Sequence, residues 1–375
     1  MSTERAYWLT WAQAKGLGPV LLKRLHSHFG SLGAAWQADG ADLLAVEGIG
    51  LGLGASLVQY RQSVCPEQTL ATFEQQHPNF WTPADPQYPT LLFEITDPPP
   101  LLFYRGRPEL AEALKTQPSV GIVGTRSPSD YGQRWTRRLT QQLAIHGVIV
   151  VSGLANGIDR HAHYQTLESN GLTIAVLGTG VDIVYPWANR TLQERIAGVG
   201  LLLSEHPNGT PPDRVHFPRR NRIIAGLSRA VVVTEAPLRS GALITARLAN
   251  DYGRDVFALP GSLDNPCSRG CLELINQGAQ MILDEKTLVT EMAYLPQLDS
   301  ASPKAEGWPE STSQIPSLSP AMAAVFDAIG HDPLTLDQLV IQLGQSTAEV
   351  LSTLVQLELM GVVIQLPGMR YQRSP

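Results

Sequence analysis

The sequence predicts an α/β protein with a doubly wound, Rossmann-like parallel sheet at its centre, preceded by a helical domain and followed by a winged-helix domain. Residues 118–295 alternate short, continuously apolar runs with amphipathic stretches. Residues 1–80 have helical patterns with glycine breaks, and residues 319–375 suggest three helices followed by a hairpin. Apolar runs without polar alternation, separated by helices, are typical of parallel strands that are covered on both faces.

Composition limits the class of protein before any motif is considered. The chain has 375 residues, 43% of them hydrophobic, and a net charge of -6. At that length we expect two or three domains. No signal pattern begins the sequence, and no apolar run approaches the roughly 18 to 20 residues of a membrane span, so we expect a soluble, cytoplasmic protein without a membrane partner.

Cysteine and charge add two further expectations. Cys65, Cys267 and Cys271 are too few and too scattered for a disulfide framework, which predicts reduced thiols. Because the overall charge is negative, binding to a polyanion would have to depend on a local cluster of arginines.

The first domain resembles a tandem of SAM-like or helix-hairpin-helix units. Its two glycine breaks, GLGP at 16–19 and EGIGLGLG at 47–54, each separate two helical stretches. Such glycines can expose backbone N–H groups to phosphate, or they can simply be helix C-caps. The proline-rich segment 81–117 is predicted to be an extended connector into the next domain.

The central domain, 118–295, contains six candidate strands and five candidate helices. The strands are SVGIVG (119–124), GVIVVSG (147–153), LTIAVLG (172–178), GLLLSE (200–205), RAVVVTEA (229–236) and DVFALPG (255–261). The helices are expected near 131–146, 157–169, 189–197, 219–226 and 240–252.

The last two segments are a linker and a small domain. Residues 296–318 have the proline- and serine-rich composition of a linker. In the winged-helix segment 319–375, the third helix carries Glu349 and Glu358 but no lysine or arginine. A helix that enters a DNA major groove is normally basic, so this domain is expected to bind protein or only to pack.

Ligands of a doubly wound sheet bind beyond the carboxyl ends of its strands. The first strand ends in GTRSPSDYG, where Gly124 permits close backbone approach, Arg126 projects a planar guanidinium, and Ser127 or Ser129 can cap the next helix. Similar small residues follow the other strands. We therefore expect a row of backbone N–H groups suited to phosphates.

The segment FPRRNR, residues 217–222, is the strongest local signal. Pro218 lies where the first turn of a helix would begin, and three arginines follow at the positive end of the helix dipole. A bound anion would offset this repulsion, with Arg126, Arg239 and Arg247 converging from neighbouring strand ends. The alternative is an internal ion-pair network with Glu205, Asp213 or Glu235.

Other chemistries find little support. The spacing after the first strand does not match a dinucleotide fingerprint, so we expect no nicotinamide cofactor. Asp159, His161 and His163 could be read as metal ligands, but adjacent alternate positions of a helix point to different faces, which favours structural histidines. We assign no catalytic residue, metal site or cofactor.

Five motifs, taken in order, resemble those of the DNA processing protein A (DprA, also Smf) family. They are GIVGTRSPSDYG, VSGLANGIDRHAH, TIAVLGTGVDIVYP, FPRRNRIIAGLSRAVVVTEAPLRSGALITA and GRDVFALPGSLDNPCSRGCLELINQGA. The resemblance as a whole covers roughly residues 85–295. The resemblance implies a non-enzymatic recombination mediator that binds single-stranded DNA and protects it. It also implies a homodimer formed through the Rossmann-like domain, which helps to load RecA recombinase during natural transformation.

The resemblance implies a DNA-binding pocket, to which the arginine cluster adds Arg220. The candidate DNA-binding residues are Gly124, Arg126, Ser152, Gly153, Phe217, Arg219, Arg220, Asn221, Arg222, Ser240 and Gly241. The role of Phe217 stays open between stacking on a base and core packing. The sequence departs from the family at Asn156, His206 and Leu272, which stand where arginine, an aromatic residue and asparagine are usual.

Two other functions remain as alternatives. A nucleotide phosphoribohydrolase of the LOG type is similar in fold, but its PGGxGTxxE signature is not found in this sequence. EAPLRSGALITA stands in the comparable place without a glutamate after the glycines. The other alternative is a pure scaffold, in which the winged helix binds protein and the basic loop forms only internal pairs.

Overall fold

A computed structural model describes residues 3–293, 320–329, 334–359, 362–366 and 370–373. The chain divides into two compact units, Met1–Asp299 and Ser300–Pro375. The predicted linker, 296–318, lies outside the described residues.

The first unit contains fifteen α-helices and nine strands within its described residues. The helices are α1 (Glu4–Gln13), α2 (Pro19–Phe29), α3 (Leu32–Gln37), α4 (Gly40–Leu43), α5 (Leu51–Ser63), α6 (Pro66–Gln76), α7 (Thr90–Phe93), α8 (Glu109–Ala113), α9 (Asp130–Ile145), α10 (Ile158–Glu168), α11 (Arg190–Val199), α12 (His216–Gly226), α13 (Gly241–Asp251), α14 (Arg269–Asn276) and α15 (Glu285–Ala293). The strands are β1 (Phe80–Trp81), β2 (Leu102–Gly106), β3 (Ser119–Val123), β4 (Ile149–Ser152), β5 (Thr173–Leu177), β6 (Leu201–Ser204), β7 (Ala230–Val233), β8 (Asp255–Ala258) and β9 (Gln280–Met281).

The nine strands form one sheet in the order β1-β2-β6-β5-β4-β3-β7-β8-β9. Strands β3 to β9 run parallel, and β1 and β2 complete one edge in antiparallel pairing. Each of the six predicted strands is present, and the Rossmann-like fold class is confirmed. The strand order reverses at β3, because the chain moves outward first through β4, β5 and β6 and later through β7 and β8.

Alternate side chains of a strand enter opposite layers of the core. Ile149 and Val151 of β4 pack on one face of the sheet with Ile223 of α12, whereas Val150 packs on the other face with Leu139 of α9. Both layers are apolar, which explains why the strand sequences are continuously hydrophobic.

The segment predicted to be an extended connector contributes to the sheet. Within 81–117, β2 pairs antiparallel with β6, so that Arg105 lies opposite Leu202 and Gly106 opposite Leu201. Leu102 and Phe103 are buried against this edge. The flanking prolines conceal this strand in the sequence, because they interrupt the apolar pattern and the apolar run itself is short.

The amino-terminal helices have a core of their own, which includes Trp8, Trp11 and Leu25. Gly16 and Gly48 adopt positive φ of 87° and 94° in the turns that precede α2 and α5, a conformation that favours glycine. Both turns lie at the predicted glycine breaks. In the described part of the chain, every helix is too short or too polar to cross a membrane.

The second unit contains the winged helix. Its described helices are α16 (Pro320–Ala328), α17 (Leu336–Leu343) and α18 (Thr347–Leu359), and its strands are β10 (Leu334–Thr335), β11 (Val363–Leu366) and β12 (Arg370–Arg373). Strands β11 and β12 pair antiparallel as the predicted hairpin. Their core includes Val350, Leu354 and Tyr371.

Candidate nucleic-acid interface

A cavity of about 640 Å³ opens beyond the carboxyl ends of β3 and β7, where the strand order reverses. Doubly wound sheets bind ligands at this position, because the loops after the two adjacent strands run to opposite sides of the sheet and leave a crevice between them. The cavity is lined by the loops that follow β3, β4, β5, β6 and β7 and by the amino-terminal parts of α10, α12 and α13. Of the candidate residues, it brings together Gly124, Arg126, Phe217, Arg220, Asn221, Ser240 and Gly241.

The loop after β3 is held tightly against its neighbours. The N–H of Thr125 donates to the carbonyl of Glu235 at 2.7 Å, and the N–H of Ile158 donates to the carbonyl of Thr125 at 3.1 Å. A Cβ on Gly124 would lie 2.5 Å from Cγ1 of Ile158, so only glycine fits there. Arg126 is exposed at the end of this loop. Its guanidinium lies 5.8 Å from the centre of the Phe217 ring.

The buried carboxylate of Glu235 fixes the far side of the same loop. It accepts hydrogen bonds from the N–H of Ser129 at 2.8 Å, from the hydroxyl of Ser129 at 2.7 Å and from Nδ2 of Asn265 at 2.8 Å. Ser129 also caps α9, since its hydroxyl accepts from the N–H of Gly132. Glu235 therefore bonds to loop residues, and it is not the arginine partner that the sequence analysis considered.

The amino end of α13 faces the cavity. Ser240 caps this helix by accepting from the N–H of Ala242 at 3.2 Å, and Nδ2 of Asn221 donates to the carbonyl of Gly241 at 3.2 Å. Arg239 lies on the lining next to them. An 11-residue helix that directs its amino end at a cavity with arginines on its lining favours an anion there.

The three arginines of FPRRNR do not form one cluster. A helix turns about 100° per residue, so Arg219, Arg220 and Arg222 leave α12 in different directions. Arg219 is exposed, whereas the other two are buried. The sequence prediction of a single positive slot built from all three is therefore corrected.

Arg220 lies beneath the cavity with its guanidinium held by backbone carbonyls. Nη1 donates to the carbonyl of Gly153 at 2.6 Å and also to that of Val176. A Cβ on Gly153 would lie 2.4 Å from this guanidinium. Burial lowers the pKa of Arg220 to about 10, against which the nearby carboxyl of Asp159 favours the cation. Burial raises the pKa of Asp159, and Arg220 opposes that rise.

Arg222 is not among the residues that line the cavity. Its guanidinium is paired with Glu205 at 2.6 Å and with Asp97 at 3.1 Å. The ion-pair alternative of the sequence analysis thus holds for Arg222 and Glu205. Asp213, the other proposed partner, accepts from the N–H of Val215.

Two further candidate residues, Ser152 and Phe217, differ in their access to the cavity. Ser152 is buried, and its hydroxyl donates to the carbonyl of Ile122 at 2.5 Å, so it does not reach the cavity. Phe217 is only half buried, with its ring centre 5.4 Å from that of Tyr185 and the two planes 30° apart. It lies at the rim of the cavity, where one part of the ring packs and another faces solvent.

Sequence reasoning missed Arg214 and Tyr185, which also line the cavity. Arg214 stands in the proline-rich loop three residues before Phe217, and Tyr185 follows β5 in the motif VDIVYP. Both come after strand ends, and that position is the one sequence signal that could have identified them. Arg247, expected to converge on the cavity, lines a separate cavity of about 250 Å³.

The possible metal ligands and the departures from the family pattern complete the set of residues considered from the sequence. Nδ1 of His163 lies 2.7 Å from the hydroxyl of Thr173, and burial lowers the pKa of His163 to about 3. No group of three or more His, Cys, Asp or Glu side chains within the described ranges could hold a metal ion. Of the departures, Asn156 lines a small cavity next to the main one, His206 stacks on His216 at 3.9 Å, and Leu272 is half buried in α14.

Comparison with known proteins matches both units of this fold. The profile of the DNA recombination-mediator protein A family matches residues 79–293, and that of the DprA winged helix domain matches residues 309–369. Protein Smf of Synechocystis sp. is 47% identical over 99% of each chain. DNA processing protein DprA of Streptococcus pneumoniae is 45% identical, over 59% of this chain and 76% of the relative.

Two solved structures are similar as well. The X-ray structure of DNA processing protein A from Streptococcus pneumoniae gives a TM-score of 0.65 at 36% identity, covering 77% of this chain and 98% of the other. The second is a structure of DNA processing protein A from Helicobacter pylori, which was solved to explain how that protein binds single-stranded DNA. It gives a TM-score of 0.52 at 33% identity, covering 57% of this chain and 95% of the other.

Proposed function

The chain belongs to the DNA recombination-mediator protein A (DprA/Smf) family, and from that membership we propose that it binds single-stranded DNA in the cavity between the ends of β3 and β7. The proposal also includes the assembly and the cellular role that the family resemblance implies. The protein protects incoming single strands, forms a homodimer through its Rossmann-like domain and helps to load RecA during natural transformation in the cytoplasm. It acts without catalysis.

One observation carries the proposal. Arg126, Arg214 and Arg239 line the cavity, and none of the three forms an ion pair within the described part of the chain. In a protein with a net charge of -6, three arginines without ion pairs around one concave site create a local positive potential that attracts an anion. Arginine can bind phosphate through two parallel hydrogen bonds, and the amino end of α13 adds N–H groups beside them.

The shape of the cavity favours a single strand over a duplex. Phe217 and Tyr185 offer aromatic faces at its rim, on which an unpaired base can stack. A duplex keeps its bases stacked inside and is too wide and stiff to enter such a cavity. The strand would then place phosphates near the three arginines and a base near Phe217.

The carboxylates near the cavity support a binding role over hydrolysis. Asp159 lies beside Arg220, and all three hydrogen bonds to Glu235 come from loop residues. A LOG-type enzyme would need a carboxylate that reaches the ribose or the base. Incubation with nucleoside monophosphates tests this alternative, and release of free base would contradict the proposal.

Fluorescence anisotropy with labelled oligonucleotides tests the binding itself. We expect the wild-type protein to prefer single-stranded DNA to duplex, and we expect Arg126→Ala, Arg214→Ala and Arg239→Ala each to weaken binding about tenfold. Arg107→Ala is the matched control. Because β2 runs antiparallel to β6, Arg107 lies at the amino ends of the parallel strands, on the side of the sheet away from the cavity. Equal affinity for both forms of DNA, or equal losses in all four variants, would reject the assignment.

Two separate measurements address the assembly. Sedimentation of the wild-type protein would report the expected dimer, and a monomer at all concentrations would contradict it. RecA filament formation on single-stranded DNA should start faster with the protein present, and Arg126→Ala should remove most of that effect.

A further inference from the structure

The loop between β5 and α11 carries an exposed tryptophan next to the cavity. Tyr185 of this loop lines the cavity, and Trp187 begins a short 3-10 turn, Trp187–Asn189, two residues later. The Trp187 side chain is 68% exposed, the largest value among the exposed aromatic residues of the described chain. An indole ring in solvent adds little to the stability of the fold, and its exposed face is accessible to a ligand.

Two arginines flank a group of three aromatic rings along this rim. The Arg126 guanidinium lies over Phe217, and the Phe217 ring packs on Tyr185 at 5.4 Å. Beyond Tyr185, the guanidinium of Arg190 lies 4.9 Å from the centre of the Trp187 ring. Proteins that bind single strands combine cations that follow the backbone with aromatic faces that stack on bases.

The loop is anchored on both sides of Trp187. The side chain of Asn189 is buried and donates from Nδ2 to the carbonyl of Leu154 at 2.8 Å. Nε2 of Gln193 donates to the carbonyl of Ile183 at 3.1 Å. Because these two bonds hold the backbone before and after it, the indole is presented by a fixed loop, and binding to it would require little ordering of the chain.

The size of the cavity makes a surface outside it necessary. A volume of about 640 Å³ is within the range that encloses one small ligand, so a longer strand must leave the cavity over its rim. The Cα atoms of Tyr185 and Trp187 are at most about 7 Å apart, since an extended chain spans about 3.3 to 3.6 Å per residue. The backbone of Trp187 therefore lies close to the Tyr185 side of the rim, where a strand leaving the cavity on that side would emerge.

We propose that Trp187 is a second stacking platform, which binds a base of the same strand just outside the cavity while Arg190 binds a neighbouring phosphate. This inference rests on the proposed function, because it extends the same binding site. It assigns a function to a pair, Trp187 and Arg190, that lines neither the main cavity nor the small cavity beside it.

Two readouts test the proposal in the full-length protein. A base stacked on an indole quenches its fluorescence, so oligothymidylate should quench the wild-type protein more than Trp187→Phe, although six other tryptophans remain. Affinity measured by anisotropy gives the second readout. We expect Trp187→Ala to lose about tenfold in affinity for an oligothymidylate of about sixteen nucleotides and less than twofold for one of about four.

Tyr164 provides a matched control. It is another exposed aromatic residue, at 45%, with the guanidinium of Arg195 lying 5.5 Å from its ring centre, but it lines neither cavity. Tyr164→Ala should therefore bind both oligonucleotides like the wild type. Arg190→Ala should reproduce part of the loss seen with Trp187→Ala for the long oligonucleotide.

The outcomes separate this inference from the proposed function. If the wild-type protein binds no single strand, the proposed function and this inference both fail. If it binds but Trp187→Ala retains full affinity for the long oligonucleotide and the quenching is unchanged in Trp187→Phe, the second platform alone is rejected. Equal losses in Trp187→Ala and Tyr164→Ala, or a changed sedimentation coefficient in Trp187→Ala, would also reject it and would indicate a protein contact.

Discussion

Arg222 and Glu205 form an ion pair in which Nη2 lies 2.6 Å from Oε2, and only 9% of the arginine side chain is exposed. Asp97 pairs with the same guanidinium through Nε. This arginine belongs to the segment with the densest positive charge in the sequence, yet its charge is compensated inside the protein. Its expected contribution is therefore to stability.

Arg222→Ala should lower the free energy of unfolding by about 3 kcal/mol, because removal of one partner leaves two carboxylates without their cation in a mostly buried place. Urea denaturation of the variant measures this loss. Arg219→Ala, an exposed change on the same helix, should alter stability by less than about 0.5 kcal/mol. If Arg222→Ala instead kept its stability and lost DNA binding, the sequence-based assignment of Arg222 to the DNA site would be restored.

The salt dependence of DNA binding should report the number of phosphates that the cavity neutralises. For about four phosphates, the slope of log K against log salt should be near -3, and Arg126→Ala should make it shallower by about 0.7. Anisotropy titrations at several salt concentrations measure both values. Arg107→Ala should leave the slope unchanged, and a slope near zero in the wild type would contradict a phosphate site.

Gly153→Ala should destabilise the protein by about 1 to 3 kcal/mol. The new methyl group would lie 2.4 Å from the guanidinium of Arg220 and would displace it from the carbonyl of Gly153. Thermal unfolding should show a lower midpoint. Gly198→Ala is the control, since a Cβ there meets nothing within 4 Å on α11 and should be neutral or slightly stabilising. Unchanged stability of Gly153→Ala would show that Arg220 moves without cost.

Glu235→Gln should weaken DNA binding indirectly, through the loop that carries Arg126. The amide cannot accept all three hydrogen bonds that now hold Ser129 and Asn265, so the loop that carries Arg126 would loosen. We expect a several-fold loss of affinity together with faster hydrogen exchange in residues 124–130. Lost affinity without any change in exchange would argue against a positioning role.

Acid should destabilise the protein through His163. Its pKa is about 3 in the folded state because of burial, against an ordinary value of 6.5. Between these values the unfolded chain binds a proton that the folded chain excludes, so stability falls as the pH falls, by at most about 1.4 kcal/mol per pH unit. Urea midpoints at pH 7 and pH 4 should differ less for His163→Gln than for the wild type. The exposed His28→Gln should behave like the wild type, and an identical pH dependence in all three proteins would contradict the prediction.

The regular part of the fold is local enough to be recognised in sequence. Six apolar runs separated by amphipathic helices predict strands β3 to β8, because each run must be covered on both faces. Strand β2 escaped this reasoning, since its pairing with β6 depends on residues almost a hundred positions away. The pairing partner of an edge strand is chosen by the surface left open in the folded domain.

The candidate site, like the fold, was predictable from the sequence only in part. The chain by itself determined that glycines, serines and arginines follow the strand ends, because parallel strands present those ends on one edge. The three-dimensional structure alone decided which side chains share the cavity. The helical rotation of α12 separates Arg219, Arg220 and Arg222, and buried acceptors near the last two compensate their charge. Arg239 reaches the cavity as the sequence predicted, but Arg214 and Tyr185 are brought there by loops that the sequence did not single out. Which charges are compensated depends on distances that only folding sets.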